Sequence, residues 1–130
     1  MKKILRAKRK KKPPSLKGES RELRVLRVLR EMFPEEPFIY GGHYSWLPGV
    51  VGFPLQLDIF FPQLSLLGGR PLAVEVQGEQ HRTWVRHFGS KANFIRQKEN
   101  DTRKRELLEA RHIPLVEFWP EDEIHLEAIT

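Results

Sequence analysis

The chain has 130 residues, 39% of them hydrophobic, and contains no cysteine. This length suits one domain with its own core, and the lack of cysteine excludes a disulfide scaffold, a Cys-ligated zinc site and thiol catalysis. No apolar run approaches the roughly 18 residues of a membrane span. The basic N-terminus continues into Pro13 and Pro14, unlike a secretory signal. We therefore expect a soluble cytoplasmic protein that is not secreted and does not bind a membrane.

The net charge of +6 is unevenly distributed along the chain. Residues 1–17 carry nine Lys or Arg and no acid, whereas residues 18–130 carry the other fourteen against seventeen Asp or Glu, a net −3. We expect a disordered basic arm over residues 1–17, because dense like charges repel and cannot pack. A polyanion such as nucleic acid is its natural partner; a solubility tail, a targeting tail and a membrane-surface patch are the alternatives. The arm residues expected to contact DNA are Lys8, Arg9, Lys10, Lys11 and Lys12.

The first predicted element is a helix from about residue 19 to 33. Ser20 is a suitable N-cap, and Leu23, Leu26 and Leu29 recur at helical spacing. A proline follows the helix and ends it.

Three strands are predicted next. Residues 38–40 form a short β-prone run that Gly41 and Gly42 would end, and residues 43–54 are rich in glycine and proline, which is typical of a loop or of a surface covered by a partner.

The next two strands are predicted to form a hairpin. Residues 55–61 alternate in polarity, with Leu55, Leu57, Ile59 and Phe61 expected on one face and Asp58 on the other. The second strand covers residues 72–76, after a turn at two glycines.

The last two elements are a long helix over residues 90–111 and a buried strand over residues 113–119. The resulting order of helix, three strands, helix and strand predicts an α/β fold with one mixed sheet flanked by helices.

Two adjacent strands each carry a carboxylate inside an apolar pattern, at Asp58 and Glu75. A buried strand acid needs a partner or a metal to offset its desolvation, and two hard oxygen ligands side by side suit a divalent cation. Gln77 shares the face of Glu75. Taken singly, Asp58 could cap a turn, and Glu75 could pair with Arg70 or with an arginine of the first helix.

The order of Glu22, Asp58 and the run Glu75, Val76, Gln77 resembles the PD-(D/E)XK nuclease superfamily. The resemblance implies an αβββαβ restriction-endonuclease-like core and a nuclease domain over residues 18–130. It also implies that Asp58 and Glu75 bind Mg²⁺, with Mn²⁺ as a substitute, and that the ion activates water for attack on a phosphodiester.

Two local features refine the resemblance. Lys17 and Gly18, followed by Glu22, resemble the opening helix of archaeal-type Holliday junction resolvases, in which the corresponding Glu joins the metal site. The run from Leu57 to His81, with Asp101 and Lys104 on the following helix, also resembles the very-short-patch-repair-like endonuclease branch.

The chain departs from the family pattern because Gln77 occupies the usual lysine position. Lys104 or Lys98, from the following helix, could replace that lysine, and Glu19 is an alternative to Glu22. His81 could hold the scissile phosphate or act as a base, or could simply be a loop histidine. The residues expected to act in catalysis are Glu22, Asp58, Glu75, Gln77, His81 and Lys104; those expected to contact DNA phosphates beside them are Arg82, Arg86 and Lys91.

These features together predict a magnesium-dependent, structure-selective DNA endonuclease that resolves four-way junctions as a homodimer. The sequence leaves a cellular or a viral origin open; a viral protein would act in the host cytoplasm. Symmetric nicks need two active sites related by a two-fold axis, and the apolar segment 46–54 is the expected dimer contact. One alternative is a strand-nicking repair or homing-type endonuclease of the same superfamily. The others are a DNA-binding protein without catalysis and an interaction module with a basic tail.

Overall fold

The computed structural model of the chain describes residues 5–6, 19–78 and 90–119, with the backbone alone at residues 5–6. The described residues form, in chain order, β1 (Leu5–Arg6), α1 (Arg21–Met32), β2 (Ile39–Pro48), β3 (Pro54–Leu64), β4 (Arg70–Val76), α2 (Lys91–Ala110) and β5 (Leu115–Phe118). A 3-10 turn (Ser65–Leu67) lies between β3 and β4. The predicted α/β class and the predicted order of helix, three strands, helix and strand are confirmed.

The strands form one mixed sheet in the order β1-β5-β4-β3-β2. The neighbours β2, β3 and β4 are antiparallel, whereas β4 with β5 and β5 with β1 are parallel. Parallel neighbours need a crossover connection, and α2 lies in the one that joins β4 to β5. The prediction of a disordered arm over residues 1–17 is wrong at Leu5–Arg6, where β1 pairs with β5. The sequence did not indicate this pairing, because a two-residue strand has no readable periodicity.

The two helices cover opposite faces of the sheet. Leu72 and Val74 of β4 belong to the core cluster that includes Leu29 of α1, whereas Ala73 belongs to the cluster that includes Leu108 of α2. Successive strand residues point to opposite faces, so each helix packs on its own side. None of the helices in the described ranges is long and apolar enough to cross a membrane.

Both helices begin at a serine cap, and the cap of α1 is the one predicted from the sequence. Ser20 accepts a hydrogen bond from the backbone N–H of Leu23. At the start of α2, Ser90 accepts one from the backbone N–H of Asn93. The apolar face of α1 differs from the predicted one, because Val25, Val28 and Leu29 are buried whereas Leu23 is exposed.

Strand β2 corrects the prediction for residues 38–54. The glycines at 41 and 42 do not end the strand, which continues to Pro48 and pairs with β3 from Ile39 opposite Phe60 to Pro48 opposite Pro54. Glycine weakens a strand, but pairing with β3 continues through this point, with Gly42 opposite Leu57, and overrides the local glycine signal. Only residues 49–53 connect the strands, through a turn in which the Gly49 N–H donates to the Phe53 carbonyl at 2.8 Å.

The predicted hairpin of β3 and β4 is confirmed, with Phe60 opposite Ala73 and left-handed glycines in the connecting turn. The predicted alternation of β3 is wrong in one respect. Leu55 and Leu57 pack in the cluster on the α2 side, whereas Ile59 and Phe61 pack on the α1 side. The alternation therefore breaks at Asp58.

Candidate active site

A mostly polar pocket of about 310 Å³ lies beside the break in β3. Helix α1, strands β3 and β4 and helix α2 each contribute side chains to it, so residues far apart in sequence meet there. We call it the carboxylate pocket. It is lined by Glu22, Gln56, Asp58, Glu75, Val76, Gln77 and Lys104.

The carboxylates of Asp58 and Glu75 each bind the backbone of the neighbouring strand. The Asp58 N–H donates to Oε2 of Glu75 at 2.8 Å, and the Val76 N–H donates to Oδ2 of Asp58 at 2.8 Å. These bonds satisfy backbone donors at the point where the alternation of β3 breaks. The two acids are thereby held side by side, with one oxygen of each left for another partner.

Lys104 of α2 pairs with Glu75 inside the pocket. Its Nζ donates to Oε1 of Glu75 at 2.5 Å, and the two side chains are only 13% and 6% exposed. Of the two lysines considered from the sequence, Lys104 lies at the pocket, whereas Lys98 lines a separate groove beside Val50 and Ile95.

The pocket disfavours negative charge on its buried acids. Burial raises the pKa of Glu75, and although Lys104 lowers it, the nearby Asp58 raises it further. Burial also raises the pKa of Asp58; the Val76 N–H lowers it, and the charge of Glu22 raises it. A second cation in the pocket would therefore stabilise the ionised acids.

Glu22, in the first turn of α1, faces the pocket from a third side. It lies within hydrogen-bonding reach of the Asp58 carboxyl, and its Oε1 accepts a hydrogen bond from the Tyr40 hydroxyl at 2.5 Å. The alternative acid, Glu19, instead pairs with Arg27 at 2.8 Å. Tyr40 was missed from the sequence, where it stands in no motif and only precedes two glycines.

Gln77 is almost fully buried and lines the pocket next to Glu75. Its backbone N–H donates to the Phe118 carbonyl, and its own carbonyl accepts a hydrogen bond from the guanidinium of Arg21. Arg21 also donates to the Phe118 carbonyl, at 3.2 Å. This arginine therefore anchors the start of α1 on the ends of β4 and β5, which places the next residue, Glu22, at the pocket.

The other predicted site residues lie either far from the carboxylate pocket or outside the described residues. Lys91 is exposed at the first residue of α2, about 20 Å from Lys104 along the helix axis at 1.5 Å per residue. Eight further predictions fall outside the described residues: His81, Arg82, Arg86, Lys8, Arg9, Lys10, Lys11 and Lys12.

The donor chemistry of the pocket suits a hard cation. Asp58, Glu75 and Glu22 offer carboxylate oxygens, which Mg²⁺ prefers. Across residues 19–78 and 90–119, however, no group of three or more His, Asp or Glu side chains is arranged so that it could hold a metal ion. Mg²⁺ commonly binds through one or two carboxylates together with water and substrate phosphate, so the acids fit the ion without a complete protein cage.

Comparison with known proteins adds no assignment. The chain matches no protein-family model, no curated protein and no solved structure. Membership of the PD-(D/E)XK superfamily therefore stays a prediction, and function has to be inferred from the carboxylate pocket itself.

Proposed function

We propose that this protein is a magnesium-dependent, structure-selective DNA endonuclease that acts as a Holliday junction resolvase. One observation carries the proposal: Glu22, Asp58 and Glu75 converge with Lys104 on one polar pocket. Four elements supply these residues, and their order along the chain is the one that the nuclease resemblance implies. A purely structural role for three neighbouring acids would be costly, because each ionised carboxylate disfavours ionisation of the others.

Asp58 and Glu75, joined by Glu22, are the residues that would hold Mg²⁺ or Mn²⁺. The bound ion supplies Lewis acidity toward the phosphodiester and the attacking water. Glu75 and Asp58 are suited to holding it because backbone N–H groups fix both carboxylates.

Lys104 supplies the cation that Gln77 cannot. Its ammonium compensates the charge of Glu75 and lies within the same pocket as Asp58. From there it can donate a hydrogen bond to a phosphate oxygen or to the attacking water. Gln77, buried beside Glu75, offers an amide that can orient the same groups.

Branched DNA is the proposed substrate, bound by a homodimer. The nine positive charges of residues 1–17 supply affinity for the phosphate backbone that does not depend on sequence. The β2–β3 turn exposes Val50, Val51 and Phe53, the last at 74%. Asn100 Oδ1 fixes this turn by accepting the Val50 N–H at 2.9 Å, so it is a preformed apolar surface suited to a dimer contact.

The deciding experiment compares cleavage of a labelled four-way junction with cleavage of a linear duplex of the same sequence, with Mg²⁺ and with chelator. We expect paired symmetric nicks in the junction alone, lost with chelator. Asp58→Asn serves as the matched protein control. Cutting of both substrates would instead indicate a general or strand-nicking nuclease. Tight binding without cutting in Mg²⁺ or Mn²⁺ would contradict the enzyme and indicate a DNA-binding protein.

A further inference from the structure

The Tyr40 hydroxyl connects the edge strand β2 to the acid of helix α1. It donates to Oε1 of Glu22 at 2.5 Å, and Tyr40 itself lies opposite Ile59, the residue after Asp58. The contact therefore joins α1 to the sheet at the rim of the carboxylate pocket. The tyrosine side chain is 44% exposed, so core packing alone does not account for it.

Glu22 needs such a contact in order to stay at the pocket. Its long side chain has several rotamers that lead to solvent, and holding one of them costs conformational entropy. When both acids are ionised, the Asp58 carboxylate on the pocket side repels the Glu22 carboxylate. The Tyr40 hydroxyl opposes both effects, because it donates a hydrogen bond to Oε1 of Glu22.

We propose that Tyr40 is a positioning residue, which holds the Glu22 carboxylate at the carboxylate pocket, beside the divalent cation that Asp58 and Glu75 would bind. This inference rests on the proposed function, because it assigns Glu22 to cation binding. Hydrogen bonds that orient a metal-binding carboxylate from outside the ligand set affect metal affinity strongly.

Tyr44 provides a matched control four residues further along the same strand. Its hydroxyl is buried and has no hydrogen-bond partner among the described residues. Its ring packs against Trp46 and Phe60, on the side of the sheet that faces α2. Tyr44→Phe therefore removes the same atom as Tyr40→Phe, from the same strand, without touching Glu22.

The test is Mn²⁺ binding to the full chain, without DNA, measured by titration calorimetry for the wild type, Tyr40→Phe and Tyr44→Phe. We expect Tyr40→Phe to raise the Mn²⁺ dissociation constant by about 10-fold and Tyr44→Phe to leave it unchanged. Thermal unfolding of each protein is recorded in parallel, because a merely structural role would lower the melting temperature without changing the affinity of the folded protein. Wild-type affinity in folded Tyr40→Phe would overturn the inference alone, whereas a wild type that binds no Mn²⁺ would overturn the proposed metal site together with it.

A double-mutant cycle shows whether Tyr40 acts through Glu22. In the Glu22→Ala background the hydroxyl has no carboxylate to hold, so adding Tyr40→Phe should leave Mn²⁺ affinity at the level of the single variant. A further 10-fold loss in that background would mean that Tyr40 acts by another route, and the inference would be wrong.

Discussion

The acids of the carboxylate pocket combine two roles in the same side chain. Asp58 and Glu75 accept backbone hydrogen bonds from each other's strands, and their remaining oxygens face the pocket. An amide side chain keeps an acceptor oxygen but loses the charge. Substitution by Asn or Gln can therefore separate the support of the strands from the proposed chemistry.

We expect Asp58→Asn and Glu75→Gln each to reduce junction cleavage to the level seen with chelator, while junction binding stays within about twofold of wild type. Binding is retained because the basic arm supplies most of the affinity. Cleavage is followed on labelled junctions and binding by gel shift, with circular dichroism as the control for folding. Cutting at the wild-type rate by either variant would contradict the assignment of these acids.

Lys104 is predicted to matter for stability as well as for cleavage. Lys104→Met would leave Glu75 buried without its cation. Removing one partner of a buried ion pair destabilises the folded protein by about 3 kcal/mol or more. We expect the lower end of that range, because burial raises the pKa of Glu75 and the acid can take up a proton. Urea unfolding near neutral pH measures the change. Lys91→Met, at an exposed position on the same helix, should stay within about 0.5 kcal/mol of wild type. Equal stability of Lys104→Met and wild type would mean that the ion pair does not form in solution.

Among the helices and strands, the sequence predicts correctly those whose signals lie in their own residues. Helices α1 and α2 carry serine caps and few breakers, and the β3–β4 hairpin turns on two glycines with left-handed backbone. Strand β2 was misread because its glycines are a local signal, whereas its pairing with β3 is not visible in its own residues.

The backbone of β2 gives a direct test of this correction. An edge strand of an antiparallel pair bonds one neighbour only, so alternate amides point away from it. We therefore expect slow hydrogen exchange at alternate amides of residues 40–44, followed by nuclear magnetic resonance. Fast exchange at every amide in this range would instead support the prediction that the strand ends at Gly41 and Gly42.

The same division between local and non-local information applies to the site. Glu22, Asp58, Glu75, Gln77 and Lys104 were each named from the sequence, and all five line the carboxylate pocket. The choice of Glu22 over Glu19 and of Lys104 over Lys98 needed the structure, since it depends on how each helix is rotated against the sheet. Tyr40 had no signal of its own, because its role depends on the contact between β2 and α1.

At the scale of the whole molecule, the charge is divided between an arm and a body. The body carries a net −3, which disfavours DNA binding, so we expect most of the affinity to come from the positive residues of the arm. Deleting the arm would also remove β1, which pairs with β5. Replacing the positive residues that follow β1 with neutral ones therefore tests the charge of the arm without removing the strand.

We expect replacement of Lys8, Arg9, Lys10, Lys11 and Lys12 by Gln to weaken junction binding and to flatten its salt dependence. Each phosphate contact contributes about 0.9 to the magnitude of the slope of log affinity against log salt, so five lost contacts would reduce that magnitude by as much as about 4.5. Binding isotherms at several KCl concentrations measure it. The nicking rate at saturating enzyme should stay near that of wild type, because the carboxylate pocket is unchanged. An unchanged slope would show that these five residues do not contact the DNA, and the affinity would then have to come from positive residues elsewhere in the chain.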